Sequence, residues 1–168
     1  MALVVLLPCE RRETARRVMS RVGDSIGRYF SGQLALALLH GALTLVVLLV
    51  TGSAMPLFFA AIALIAALVP LVGLVLSATV IVGAQALIEP TQSATWITLA
   101  IWHVVYIQVE AYVIAPRILG RAVSMPNVVV LLATLAGGTL FGICGALLAV
   151  PAVVAAHAAW DAFTPAKE

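Results

Sequence analysis

Few residues in this sequence could do chemistry, and they lie around one carboxylate. Glu110 follows an uncharged stretch, residues 90–109, and Gln108 lies just before it. Ionisable groups within membrane segments are costly, and they tend to face a cavity or a charged partner. Glu110 is therefore a candidate proton or cation acceptor, or a gating element. The alternative is a structural ion pair with Arg117, about two helical turns further on, or with Arg121.

Arg117 and Arg121 have two interpretations of their own. Arginines that follow a membrane span commonly fix its topology by remaining on the cytoplasmic side. They could also attract an anionic or polar substrate at the cytoplasmic mouth of a pathway. The pattern favours the topology anchor, and an ion pair with Glu110 is compatible with it.

Other polar residues stand alone on apolar stretches, and we expect them to form helix contacts or to line a pore: His40, His103, His157, Gln33, Gln85 and Asn127. Their spacing does not require a haem-binding histidine pair. Cys9 and Cys144 lack metal-type spacing. No zinc motif, phosphate-binding loop or nucleophile elbow occurs. The sequence thus predicts no enzyme, no cofactor and no metal site.

The composition explains why a carboxylate in such a stretch matters. Hydrophobic residues make up 64% of the 168 residues, charged residues only 10%, and mean hydropathy is +1.17. A soluble domain is nearer half apolar and a quarter charged. The balance excludes a disordered chain and a nucleic-acid-binding protein. It predicts an all-α, polytopic integral membrane protein in contact with the lipid bilayer.

The charges leave three long stretches free: 29–88, 90–109 and 122–160. A crossing helix needs about 20 apolar residues, so five or six membrane segments fit. We expect a span at Leu34–Val50, two short helices within 57–87, a span at Thr95–Ala115, and a hairpin of two short helices ending near Trp160.

Prolines and glycines interrupt these segments, and transporters use broken or re-entrant helices to bind ions and polar substrates. The predicted breaks are Pro70, Gly73, Pro116, Gly137, Gly138 and Pro151. A stripe of small residues at every fourth position predicts close helix packing, within the chain or between subunits. The stripe comprises Thr134, Gly138, Gly142 and Ala146.

The N-terminal region reads as an amphipathic helix over residues 13–30, with arginines opposite an apolar stripe, which suits the membrane interface. We therefore divide the chain into a linker helix (1–31), a transmembrane domain (32–161) and a cytoplasmic tail (162–168). Placing both arginine groups in the cytoplasm requires an even number of crossings between them. Two short helices around Pro70 satisfy this requirement, whether they cross the membrane or re-enter it.

Several motifs agree in order and spacing with one family. They are RYFSGQ at 28–33, VPLVG at 69–73, QVE at 108–110, PRILG at 116–120, SMP at 124–126, GG at 137–138, GICG at 142–145 and VP at 150–151. This pattern closely resembles the C-terminal half of the autoinducer-2 exporter family of bacterial membrane transporters. Family members usually have further membrane helices before this region.

The resemblance implies a multi-pass transporter of the bacterial inner membrane that exports a small hydrophilic solute and works as a homo-oligomer. Some relatives are described as autoinducer-2 exporters of quorum sensing, and others as sodium/proton antiporters. Two alternatives therefore stay open beside solute efflux. One is cation/proton antiport, and the other is an inactive membrane fragment that acts only as an assembly subunit. Glu110 and Gln108 match the family pattern, as candidates for coupling or gating.

Overall fold

The computed structural model describes residues 9–119 and 127–163, so Arg121 lies outside the described residues. Nearly all of these residues are helical, and the remainder form turns, which confirms the predicted all-α class. The elements are α1 (Cys9–Val50), α2 (Pro56–Ala66), α3 (Val72–Ile88), α4 (Ser93–Val109), a π-helical segment (Glu110–Ile114), α5 (Ala115–Leu119) and α6 (Asn127–Phe163).

Among the described residues, three helical stretches are long and apolar enough to cross a membrane: Val22–Val50, Ser93–Leu119 and Val128–His157, the last of which is interrupted at Gly142. Their outer surfaces carry large apolar side chains such as Leu140 and Phe141, which are 73% and 77% exposed. A soluble monomer rarely presents such continuous apolar surface to water, whereas lipid solvates it. The predicted membrane class is confirmed.

The first helix is longer than the sequence suggested. α1 continues without interruption for 42 residues, across the boundary placed between residues 31 and 32. Gly27 and Gly32 lie in it, but an isolated glycine weakens a helix without ending it. The arginine-rich segment and the first span therefore form one helix, and the interfacial placement of residues 13–30 stays a prediction.

Pro70 divides the next apolar stretch into a hairpin. α2 ends at Ala66, the turn passes through Leu71 with a φ of 61°, and α3 begins at Val72. A side chain at Gly73 would overlap the Ala66 carbonyl, so the start of α3 packs directly on the end of α2. Glycine is needed here because the two backbones approach so closely.

Contacts between elements define the two ends of the helix bundle. At the first, which we name the Thr51 end, Thr95 Oγ1 donates to Thr51 O at 3.0 Å, and Gln85 Nε2 donates to Ser53 Oγ at 2.5 Å. The α2–α3 hairpin therefore starts and finishes at this end. α1 leads to the Thr51 end, and α4 leads away from it.

At the opposite end, named the Tyr29 end, Leu119 of α5 packs against Tyr29 of α1. Arg28 and Arg117 are exposed beside these contacts, so both lie at the Tyr29 end. α1 and α4 run between the two ends in opposite directions, with the α2–α3 hairpin returning in between. Between Arg28 and Arg117 the chain thus runs from one end of the bundle to the other four times.

α6 is a second hairpin. Gly142 adopts non-helical angles, φ 64° and ψ −148°, and the Gly137 and Gly145 backbones touch across the reversal. These residues would lie about 12 Å apart along a straight helix. The hairpin was predicted, but the chain reverses at Gly142 rather than at Gly137–Gly138. Gly142 has the positive φ that the turn needs, whereas Gly137 lets the two arms pack closely.

Pro116 does not end the membrane span that begins with α4. The helix continues through the π segment into α5, and Ala115 N donates to Glu110 O, five residues earlier. Proline removes one backbone donor and clashes with the preceding turn. The wider π turn accommodates this change without breaking the helix. The span therefore extends from Ser93 to Leu119 rather than stopping at Ala115.

Candidate functional site

A cavity of about 640 Å³ opens at the Tyr29 end of the bundle. Its walls come from α1, the turn between α2 and α3, α3 itself, the π segment, α5 and both arms of α6. Representative lining residues are Gln33, Pro70, Val75, Glu110, Leu119 and Val150. This volume is within the range of sites for small ligands.

The walls are mostly apolar, and the polar groups are concentrated in a few side chains. Tyr29 and Gln33 contribute from α1, Thr79 from α3 and Glu110 from the π segment. Small-molecule sites commonly combine apolar walls with a few polar groups that fix orientation. The cavity therefore suits a small polar solute or an ion.

Glu110 is the acidic side chain of this cavity. It is 7% exposed and is the first residue of the π segment. Its Oε2 atom has no hydrogen-bond partner among the described residues. An unpaired carboxyl group at such a depth is costly. π turns also occur frequently at functional sites, so the geometry singles out Glu110.

Gln33 connects α1 to the helix break. Its Nε2 donates to Ala67 O at 2.7 Å. Ala67 lies at the end of α2, where Pro70 interrupts the regular hydrogen bonds. Gln33 thus satisfies a carbonyl that the break would leave unpaired. The break itself lies in the cavity wall, since Pro70 and Leu71 line it.

Tyr29 supplies a second unpaired polar atom to the cavity. The side chain is 2% exposed, and its Oη has no hydrogen-bond partner among the described residues. Val150 and Val154 of α6 pack against it. Tyr29 is therefore fixed in a wall that the α6 hairpin helps to build.

Two other predicted residues lie apart from the cavity. Gln108 is exposed on α4, and Arg117 is exposed on α5; neither lines the cavity. The predicted ion pair between Glu110 and Arg117 is absent, because the Glu110 carboxyl group is buried while the guanidinium faces outward. Arg117 lies at the Tyr29 end, and its role as a topology anchor stays a prediction.

The remaining predicted breaks and the small-residue stripe serve mainly α6. Gly137 and Gly138 lie in its first arm, and Pro151 is buried within its second arm. A Cβ at Gly138 would meet Ala146 Cβ at 3.7 Å, so the stripe lets the two arms of one chain approach closely. Thr134 is buried and donates to Val130 O at 2.8 Å within its own arm.

The structure brings together residues that the sequence left separate. His40 of α1 and His103 of α4 are both buried, and their ring centroids are 5.7 Å apart. Tyr106 lies 4.5 Å from the His40 ring and faces Glu110 one turn further on. The rings connect α1 to the Glu110 region. The sequence could not predict this cluster, because the contact depends on how α1 and α4 are aligned along their lengths.

Comparison with known proteins agrees with these features. Residues 1–164 match the protein family described as AI-2E family transporter. A Bacillus subtilis (strain 168) protein named "Putative transport protein YrrI" is 34% identical over 148 residues, covering 88% of this chain and 41% of that protein. The Mycobacterium tuberculosis "Putative transport protein MT0215" is 39% identical over 106 residues, 63% of this chain and 28% of that protein. The chain thus spans about two fifths or less of the length of these relatives.

Proposed function

Because this chain belongs to the AI-2E transporter family, we propose that it moves a small hydrophilic solute across the membrane through the cavity beside Glu110. The observation that carries the proposal is the juxtaposition of one unpaired, buried carboxyl group with a cavity built around a helix break. Secondary transporters place substrate sites at such interrupted helices. The described residues of this chain contribute no nucleotide-binding motif, so coupling to an ion gradient is the proposed energy source.

Glu110 is the proposed coupling or gating residue. A carboxyl group that alternates between protonated and ionised forms changes the cost of exposing or closing its cavity. Gln33 and Tyr29 are the proposed orienting groups, because they supply an amide and a hydroxyl to the same walls. The α2–α3 turn would give the cavity its shape, since Pro70 lies in the wall.

Flux measurements in vesicles test this role. The full chain is reconstituted, and release of autoinducer-2, the solute suggested by the family, is followed with and without a pH gradient. We expect release above that of empty vesicles, and we expect Glu110→Gln to abolish its pH dependence while preserving side-chain size. The control is Asp24→Asn, because Asp24 is an exposed carboxylate on α1. Unchanged pH dependence in Glu110→Gln, at normal expression, would exclude the coupling role.

Sodium/proton antiport is the second proposed activity. It is favoured by the unpaired Glu110 Oε2, since a carboxylate oxygen can bind either a proton or a hard cation. A sodium pulse applied to vesicles with an internal pH dye distinguishes the two activities. Proton movement that requires sodium, without autoinducer-2 release, would select antiport.

Assembly and orientation are also proposals. The family resemblance suggests a homo-oligomer in the inner membrane, with the Tyr29 end facing the cytoplasm because Arg28 and Arg117 lie there. Intact mass in detergent measures the oligomer, and a cysteine placed at Arg117 reports its side by reagent accessibility. If the chain alone moves neither solute nor cation but restores flux to a partner subunit, the assembly-only alternative would be supported.

A further inference from the structure

A row of buried polar atoms extends from the cavity into the bundle. Four atoms on neighbouring side chains lack a hydrogen-bond partner among the described residues: His103 Nε2, His40 Nδ1, Tyr106 Oη and Glu110 Oε2. An unpaired buried polar group loses its hydrogen bonds to water without a replacement, and this destabilises the fold. Native proteins leave few such groups, so four in one contiguous cluster call for a chemical explanation.

The protonation pattern of His40 follows from its partners. Ser77 Oγ donates its single hydrogen to Leu74 O at 2.9 Å. Toward His40 Nε2, at 3.4 Å, the serine oxygen can therefore only accept. We therefore assign the imidazole hydrogen to Nε2 and the lone pair to the unpartnered Nδ1.

The same reasoning applies to His103. Its Nδ1 lies 2.8 Å from Leu99 O, and a carbonyl oxygen can only accept, so Nδ1 carries the hydrogen. The lone pair is then on Nε2, which is also buried and unpartnered. Each of the two neighbouring imidazoles thus donates one hydrogen bond to the protein and keeps one basic nitrogen that can accept a proton.

Tyr106 lies between these imidazoles and the cavity. Its ring is tilted by 37° against that of His40, and its side chain faces Glu110 on the next turn. Trp102 also packs against the tyrosine ring, 5.3 Å away, and donates to Thr44 Oγ1 at 3.3 Å. The tyrosine is thus held in place beside the Glu110 carboxyl group.

Beyond the histidines and the buried Thr44, toward the Thr51 end, the core becomes apolar. Leu48 of α1, Ile81 of α3 and Leu99 of α4 are fully buried there. These three side chains define an apolar layer that separates the histidines from the polar contacts of Gln85. The polar side chains next to the histidines therefore continue toward the cavity, where Glu110 lies.

We propose that His40 and His103 form a proton-binding site that exchanges its proton with Glu110 through Tyr106. A proton moves from the Glu110 carboxyl group to the tyrosine oxygen as the tyrosine hydrogen passes to an imidazole nitrogen, so the tyrosine is unchanged after each transfer. One part of this proposal, the link between the proton gradient and solute movement, rests on the proposed transport function. Proton binding itself is independent of transport.

The charged and titratable groups around this site are few among the described residues. α1 contributes His40, and α4 contributes His103 and Tyr106. The π segment contributes Glu110, whereas α3 contributes only the uncharged Ser77. α2 presents apolar side chains to the bundle. A change in the histidine signals with pH can therefore be assigned within this set.

The first test needs no transport. The full chain, labelled with ¹⁵N in its histidine rings, is placed in lipid bilayers, and nitrogen NMR follows each ring from about pH 3 to about pH 8. We expect His40 and His103 to bind protons in this range, and we expect Glu110→Gln to change both titrations together. Rings that keep their neutral signals throughout, or that ignore Glu110→Gln, would overturn the proposal.

The second test uses vesicles and a matched pair of variants. Tyr106→Phe removes only the relaying hydroxyl, and Tyr112→Phe removes an exposed one from the π segment, since Tyr112 is 74% exposed. We expect Tyr106→Phe to lower gradient-driven flux by about tenfold or more, because a positioned proton-transfer group is lost, and Tyr112→Phe to leave it unchanged. Equal flux in both variants would refute the relay. If wild-type vesicles show no flux, the proposed function fails, and the histidine titration still decides the proton site.

Discussion

The contact between the start of α3 and the end of α2 can be tested at a single glycine. A Cβ at Gly73 would overlap the carbonyl oxygen of Ala66 and lie 3.3 Å from Ala67 N. Both neighbours are backbone atoms, so no side-chain rotation can relieve the clash. We expect Gly73→Ala to push the two helices apart, at a cost of about 1–3 kcal/mol for overpacking.

The same helix contains the control. Gly83 has open space around the position of a Cβ, so Gly83→Ala should stabilise α3 by about 0.5–1 kcal/mol through helix propensity. The two variants should therefore differ in unfolding free energy by about 2–4 kcal/mol, measured by denaturation in detergent micelles with helicity as the signal. Equal stability would mean that the helices do not approach as closely as described, and the cavity wall would have to be reconsidered.

Three further changes separate structural from functional roles. Gln33→Leu should destabilise the protein by about 1–3 kcal/mol in the same assay, because it leaves the Ala67 carbonyl unpaired; no loss would mean that this bond is not formed. Gln108→Leu should leave solute release and stability unchanged, since Gln108 is exposed and away from the cavity; altered release would return it to the pathway. Gly137→Ala should destabilise more than Gly138→Ala, because only the first would overlap the opposite arm of α6; the reverse order would contradict the hairpin.

Charge and hydropathy predicted the class of the fold correctly, because the energetic cost of a charge in a bilayer acts on composition alone. The long uncharged stretches indicated membrane helices, and Pro70 indicated a break, since proline removes a backbone donor wherever it lies. In the structure, Pro70 lies in the turn between α2 and α3. The energetic cost of a charge in a bilayer also identified Glu110 as a candidate site residue, and its role stays a proposal.

Details that depend on local backbone geometry could not be predicted. A proline can end a helix or be accommodated by one wider turn, and the letters around Pro116 are compatible with both. Glycine likewise permits either close approach or positive φ. The pattern of small residues in α6 therefore indicated a hairpin without showing that Gly142, rather than Gly137–Gly138, makes the turn.

The buried histidine cluster was not predicted for a different reason. His40 and His103 belong to helices separated by the whole α2–α3 hairpin, and their contact depends on the register between α1 and α4. Each residue alone resembles any isolated polar residue on an apolar helix. Arg117 shows the converse, because its sequence distance from Glu110 suggested a pair that the buried and exposed positions of the two side chains exclude.

The interrupted parts of the helices all line one cavity. This suggests that some residues set the shape of the cavity, whereas others couple transport to the proton gradient. The turn at Pro70, the π segment at Glu110 and both arms of α6 all contribute to the walls of the cavity. A regular helix satisfies its own backbone, so side chains such as Gln33 are needed only where it is interrupted. Changes at the Pro70 turn and in the arms of α6 should therefore alter which solutes fit, whereas changes at Glu110 should alter the dependence on the proton gradient. A Pro70→Ala variant that shifts pH dependence but not solute preference would contradict this division.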